Sequence, residues 1–283
     1  MMSRLIVVFC AASVVFSLTA VAGAAAIDPA DLLAYYNFNG GTADSSGNGP
    51  EATLVNGAIL SAAGTGVFGG GADQALDVSG GAALLPLGTH FDSAFTNDTL
   101  AVSFWQKRSA NANSSAFWVV SPDSDGLRRG MQAHTPWGNG TIFFDSSGCC
   151  VATTQRVTTA VGSPMNEWAH YVFQKDAAGN KQVWEDGVLI IDQVGGADPF
   201  EAFDGTAAIG GFLSTADSPS NPFPGQIDEF AFWSVALDAD QVAQLAGGAS
   251  ATDLTIPEPT SVLLLIVGSL AALPLLRRRR RSA

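Results

Sequence analysis

The chain predicts an all-β protein, a two-sheet antiparallel β-sandwich with one short helix near its C-terminal end, and three observations predict it. Short apolar runs are separated by clusters rich in Gly, Ser, Asn and Thr. The runs alternate with a period of two, so each presents one apolar face. Between the apolar ends of the chain lie roughly 225 residues, the size of one sandwich.

The first element is a targeting segment. Arg4 precedes an uncharged apolar run over residues 5–21, and Ala22-Gly23-Ala24 or Ala24-Ala25-Ala26 offers the small residues a signal peptidase requires. Residues 1–26 therefore read as a helical secretory signal peptide. The sandwich is expected over 27–248, opening with a strand at 33–39. In residues 100–106, Leu100, Val102 and Phe104 share one face and Trp105 takes the other, and residues 168–173 repeat the alternation. Residues 181–191 place two apolar arms around Glu185-Asp186-Gly187, and Asp-Gly between such arms signals a tight hairpin. A strand over 226–233 carries Ile227, Ala231 and Trp233 on one side, Phe230 and Phe232 on the other.

The helix follows. Asp238 caps it, Gln241 reaches back to the cap backbone, Leu237 packs on Val242, and Gly247-Gly248 ends it. Residues 249–256 read as a small-residue linker. The last element is Pro257-Glu258-Pro259, then an uncharged apolar run over 260–276, then Arg277, Arg278, Arg279, Arg280 and Arg281. The run is about the shortest that spans a bilayer as a transmembrane helix, and the arginines hold its far end in the cytoplasm.

Charge restricts the partners. The chain carries a net charge of −13, and the part between the two targeting ends holds 25 acidic and 7 basic residues. Nucleic acid and anionic lipid both demand clustered Lys and Arg, so neither is expected to bind. Divalent cations and neutral polymers are compatible with such a surface. Cys149 and Cys150 are adjacent, either a vicinal disulfide or two thiols, and close no large loop.

Two resemblances follow from these residues. The tail, with Pro257, Glu258 and Pro259 before a short apolar segment and an arginine cluster, resembles the PEP-CTERM sorting signal of Gram-negative envelopes. That resemblance implies an exosortase-type processing enzyme as partner, transient residence in the inner membrane, and a final location in the periplasm, at the cell surface or in the extracellular matrix. The sandwich resembles the laminin-G-like, concanavalin A-like jelly-roll family in four ordered pieces: residues 33–39 with the Asp44-Ser-Ser-Gly-Asn-Gly turn; 95–105; 166–173 with 183–188; and 225–232 with 237–242.

The second resemblance sets the site expectations. Glycoside hydrolases of this architecture use a Glu-x-Asp-x-x-Glu strand, and none occurs here. Glu185 and Asp186 sit in a turn, Asp228 and Glu229 should point to opposite faces, and His170 should be a buried, hydrogen-bonded residue of a core strand, so no catalytic residue is expected. The family often holds one structural calcium ion. Asp44 and Asp228 are its candidate ligands, the alternatives being an Asx turn for Asp44 and a backbone hydrogen bond for Asp228. For a polysaccharide ligand the candidates are His134, Trp137 and Asn139, in a stretch whose Pro and Gly predict an irregular surface loop. Trp137 either meets a sugar or lids a sheet edge. The expectation is an exported, non-catalytic binding or adhesion module acting on exopolysaccharide or matrix; a structural matrix protein and a hydrolase or lyase on the same fold are the alternatives.

Overall fold

The computed structural model describes residues 26–121, 127–160, 162, 164–213 and 219–255. In chain order the strands are β1 (Leu32–Tyr36), β2 (Thr53–Val55), β3 (Ile59–Leu60), β4 (Leu76–Asp77), β5 (Ala82–Pro86), β6 (Leu100–Arg108), β7 (Phe117–Val120), β8 (Arg129–His134), β9 (Ile142–Ser146), β10 (Arg156–Thr159), β11 (Trp168–Lys175), β12 (Lys181–Glu185), β13 (Val188–Gln193), β14 (Thr206–Ile209) and β15 (Gly225–Trp233). Two α-helices accompany them, α1 (Asp92–Thr96) and α2 (Ala239–Ala246). One sheet runs β13-β12-β11-β6-β15-β4-β3, with β1 also on β15; the other runs β10-β9-β8-β7-β14-β5-β2. Every pairing between these strands is antiparallel, as expected of a jelly-roll sandwich.

Alternation builds the core. Leu100, Val102 and Phe104 of β6 turn inward with Tyr171 and Phe173 of β11, and the Phe104 ring stacks on Phe173 at 6.1 Å and on Phe230 at 5.4 Å. Each such fully buried ring stabilises the fold by roughly 1.5–3 kcal/mol. The Asp186-Gly187 hairpin forms, with both residues at positive φ, 48° and 79°. That is the conformation a two-residue turn between twisted strands requires. The α2 capping box is present in both directions: Gln241 N–H donates to the Asp238 carboxylate at 2.8 Å and Asp238 N–H to Gln241 Oε1 at 2.8 Å.

Two expectations are corrected. In β15 a bulge lies between Asp228 and Ala231, where Glu229 has φ +49°. The extra residue resets the alternation, so Ile227 joins Phe230 and Phe232 in the core, while Ala231 and Trp233 face outward. The stretch read as a linker is packed instead. Residues Ala251–Thr255 form a 3-10 turn, Ala251 and Leu254 are buried, and Ile27 N–H donates to the Leu254 carbonyl at 2.9 Å. With α2 this turn covers the outer face of the β6 sheet over Tyr35, Ala101, Val172 and Trp233.

The signal segment up to residue 25, and the whole sorting segment with its transmembrane run and arginines, lie outside the described residues. Among those described, no helix is long and apolar enough to cross a membrane.

Candidate functional site

The outer face of the second sheet carries a rank of side chains set by strand register. Met131, Ala133, Ile142 and Phe144 enter the core, so Gln132, His134, Phe143 and Asp145 must point out. Trp118 of β7 lies opposite Gln132, Gln132 opposite Asp145, and Asp145 opposite Arg156. The adjacent rank is His134, Phe143 and Thr158. Directly opposed residues share a face about 5 Å apart, so the two ranks adjoin on one sheet face, where Trp118, Gln132, His134 and Asp145 are buried and Phe143 and Arg156 are partly exposed.

Its chemistry is a fixed ion pair beside aromatic rings. Arg156 grips Asp145 through Nε to Oδ1 and Nη2 to Oδ2, both at 2.5 Å, and Gln132 Nε2 also donates to Asp145 Oδ2. Asp145 is wholly buried, whereas the Arg156 side chain is 23% exposed. The Arg156 guanidinium lies 4.6 Å over the Phe143 ring, and His134 packs edge-on against Trp137 at 4.5 Å and Phe143 at 6.0 Å. On the other flank Trp118 lies under Phe212 at 4.3 Å and the Arg129 guanidinium at 5.6 Å. Two polar atoms on this face are buried without a partner: Gln132 Oε1 and Trp118 Nε1.

The structure brings two of the three expected ligand residues together and corrects the expectation that all three share a surface loop. His134 is the last residue of β8, and it is buried together with Thr135 and Pro136, whose peptide bond is cis. Its Nδ1 donates to the Ser114 carbonyl at 2.8 Å. Burial pushes its pKa down to about 4, opposed by the Ser114 hydrogen bond and the Asp145 charge, so it is neutral at pH 7. Surface exposure begins at Trp137, which is half-buried and opens a tight turn in which Gly140 N–H donates to its carbonyl. Asn139 is exposed at the turn tip, where its Oδ1 accepts from Thr141 N–H at 3.0 Å. The turn over 137–141 is the one sequence signal that leads to Gln132 and Asp145, which composition alone does not single out. It joins β8 to β9 and fixes Gln132 opposite Asp145.

The two expected calcium ligands are each held by hydrogen bonds. Both Asp44 oxygens are occupied: Oδ1 accepts from Tyr35 N–H at 2.7 Å and Ser46 N–H at 3.2 Å, Oδ2 from Gly49 N–H at 2.9 Å, and Ser46 Oγ is 2.8 Å from each. This carboxylate works as a loop clasp, and its bond from Ser46 N–H makes the Asx turn that was the alternative reading. Asp228 is fully buried and accepts from Val67 N–H at 2.9 Å and Glu229 N–H at 2.8 Å. Among the described residues no three His, Cys, Asp or Glu side chains converge in a way that could hold a metal.

The bulge also overturns the opposite-face reading of Asp228 and Glu229. Asp228 pairs with Trp105, and Glu229, whose carboxylate accepts from the Tyr35 hydroxyl, lines a cavity with Ser103, Trp105, His170, Leu245, Ala249 and Ala251. Both carboxylates therefore lie on the outer side of the sheet: Glu229 meets a space of about 10 Å³ that Leu245 of α2 also lines, enough for one water, while Asp228 is closed off by the Val67 backbone. Burial above all pushes Asp228 up to about 8 and Glu229 up to about 7. His170 is buried as expected, but its ring Nδ1 has no hydrogen-bond partner, and burial pushes its pKa down to about 3. Cys149 and Cys150 are joined as a vicinal disulfide.

Comparison with known proteins agrees with this architecture. A family model, Laminin_G_3 of the concanavalin A-like lectin/glucanases superfamily, matches residues 79–243. Domain 4 of AbnA, a GH43 extracellular arabinanase from Geobacillus stearothermophilus solved with arabinotriose, is 22% identical at a TM-score of 0.56, covering 76% of this chain and 98% of that one. The receptor-binding domain of botulinum neurotoxin C/D mosaic serotype is 15% identical at a TM-score of 0.57, covering 78% and 52%. The binding domain of botulinum neurotoxin DC, solved in complex with SialylT, is 16% identical at a TM-score of 0.56, covering 80% and 53%. The chain thus spans about half the length of these toxin domains, and at such identities the likeness is one of fold. No curated protein matches the sequence significantly.

Proposed function

The chain belongs to the concanavalin A-like lectin/glucanases superfamily, and from this premise we propose that it is an exported, non-catalytic module that binds polysaccharide on the outer face of the β7-β8-β9-β10 sheet. The observation that carries the reading is the partly exposed Arg156, fixed by the buried Asp145, held beside the partly exposed rings of Trp137 and Phe143. Sugars place C–H faces on aromatic rings and hydroxyls on fixed polar groups, and Trp137 and Phe143 beside Arg156 offer both. The arabinotriose seen with the AbnA domain supports a carbohydrate ligand for this fold. The signal segment and the Pro257-Glu258-Pro259 tail support export, handling by an exosortase-type enzyme and delivery to the envelope or matrix.

Polysaccharide pull-down with the purified protein tests the site. Trp137→Ala should weaken binding by about tenfold or more, equivalent to ~1.4 kcal/mol. Full retention of binding in that variant would rule this surface out.

A further inference from the structure

We infer that Cys149 and Cys150 form a thiol-oxidation site that arms the proposed surface: closing their disulfide orders the β9-β10 loop and seats Arg156. The inference rests on the carbohydrate reading above for its function, and on the loop alone for its structure.

The loop over 147–155 is tied to the body of the sandwich at both ends. Ser147 and Gly148 N–H donate to the Gly130 and Arg129 carbonyls, both at 2.8 Å. At the other end the carbonyls of Thr153, Thr154 and Gln155 accept from Gln193 Nε2 at 2.8 Å, Asp198 N–H at 2.9 Å and Lys181 Nζ at 2.6 Å. Between these ties Val151 is the hub. Its carbonyl accepts from Gln155 N–H at 3.1 Å and from Arg156 N–H at 2.9 Å, while its own N–H donates to Gln155 Oε1 at 3.4 Å. The orientation of Val151 therefore decides whether the first residue of β10 is held.

Cys150 sets that orientation. It stands at φ +79°, a left-handed backbone that a residue with a Cβ adopts unfavourably, and its sulfur is bonded to that of Cys149. Cys149 is buried and Cys150 exposed, so the bond pins the middle of the loop to the sandwich. As two thiols the pair lacks that tether. Cys150 can then return to negative φ, which turns Val151 away from Gln155 and Arg156. The bond joins adjacent residues and closes no large loop, so the change stays local.

The pair is also placed to react. Cys150 is exposed, and the Arg129 guanidinium lies 3.8 Å from its sulfur, a cationic neighbour for the atom that starts the exchange. The oxidant is a protein disulfide carrier outside the cytoplasm. The Cys150 thiolate attacks one carrier sulfur, the Cys149 thiolate displaces it from the mixed disulfide, and the carrier leaves as a dithiol holding both electrons and both protons. Export and arming then coincide, because a reducing cytoplasm keeps the pair open.

The test is hydrogen exchange read by mass spectrometry on the full chain, oxidised or reduced with a phosphine, and on the Cys149→Ser, Cys150→Ser double variant. Peptides covering 149–158 should exchange about fivefold faster or more in the reduced protein and in the variant, with β6 and β11 unchanged. Alkylation counts the thiols and a melting curve shows whether the variant is folded; either the reduced protein or the folded variant suffices to decide. Equal exchange in all forms overturns the inference, and so does protection lost throughout the chain, which makes the disulfide a general brace. In gels containing linear arabinan or a neutral β-glucan, reduction should weaken retardation about threefold or more. Retardation that is unchanged by reduction overturns the link to the surface and leaves the carbohydrate reading standing. No retardation in any form overturns the carbohydrate reading, and with it the arming, while the exchange result still decides whether the disulfide orders the loop.

Discussion

Two protonated carboxyls side by side in β15 should make the fold lose stability as pH rises. Asp228 is pushed up to about 8 and Glu229 up to about 7, mainly by burial, while the Val67 and Glu229 N–H groups and the Tyr35 hydroxyl oppose the rise. The charged neighbours acting on the pair, Asp73 and Asp253, are themselves acidic and push in the same direction as burial. An unfolded chain releases both protons near pH 4, so between about 4 and about 8 the folded state binds more protons than the unfolded one. This contribution is fully present below about pH 4 and is lost as pH passes the folded values. Every tenfold gain in proton affinity on folding is worth ~1.4 kcal/mol. Relaxation and water entry reduce the ideal sum, leaving about 3 kcal/mol of stability lost between pH 5 and 8. In a domain of this size that is a fall of about 6–12 °C in melting temperature. The assay is thermal unfolding at pH 5, 6, 7 and 8 with a chelator present, because a bound cation would favour the ionised forms. Asp228→Asn should remove about half of the pH dependence. It should also cost about 1 kcal/mol at pH 5, since the amide NH2, unlike the carboxyl hydroxyl oxygen, cannot accept from either the Val67 or the Glu229 N–H. A wild-type melting temperature that stays level or climbs from pH 5 to 8 refutes the reasoning.

Three further outcomes are expected. Asp44→Ala should destabilise by about 2–3 kcal/mol, Asp44→Asn by less, and the gap between them in urea unfolding should be the same with and without chelator, because the clasp is hydrogen bonding. Gly49→Ala should cost about 2 kcal/mol or more, since an added Cβ would sit 2.5 Å from the Ala34 Cβ and 2.9 Å from the Leu33 carbonyl oxygen; an unchanged denaturation midpoint contradicts this packing. Intact-mass analysis of protein from its native host should show a C-terminus lacking Arg277 to Arg281; retention of those arginines rejects removal of the tail.

Local pattern made most of the sandwich legible. Alternation in residues 100–106 and 168–173 placed β6 and β11 correctly, Asp186-Gly187 located the β12-β13 hairpin, and the Asp238/Gln241 pair located α2. These features depend on residues within one or two turns of each other. The β15 bulge was not legible, because nothing local to Asp228-Glu229 marks the extra residue; it is visible only where Trp105 and Ser103 of β6 pair with Asp228 and Ala231. One added residue turned a predicted opposite-face pair into one that shares the outer side of the sheet, Asp228 buried and Glu229 half-buried. The candidate site was half legible for the same reason. His134 and Trp137 stood out by composition, but Asp145 and Arg156 are ordinary surface types in sequence, and only registry across three strands sets them beside Gln132.

The placement of the few cations favours a neutral polymer as the ligand of the proposed surface. Arg108 is buried and donates to the carbonyls of Ala110, Ala112 and Thr135, and its pKa is pushed down to about 10 by burial. Lys175 closes on Asp98, and Lys181 donates to the Gln155 carbonyl at 2.6 Å while burial pushes it down to about 7. Arg156 is matched by Asp145. Four of the seven basic residues between the targeting ends are thus internal fasteners, and their charge is spent on backbone or on a buried partner. An anionic polymer binds through several exposed cations acting together, with an affinity that collapses as salt rises. The hydroxyls of a neutral polymer need fixed dipoles instead. Where this surface presents an arginine, Asp145 has already made it into one, so binding at Arg156 should be as strong at about 0.5 M salt as at about 0.05 M. A steep loss of neutral-polymer affinity over that range contradicts the assignment.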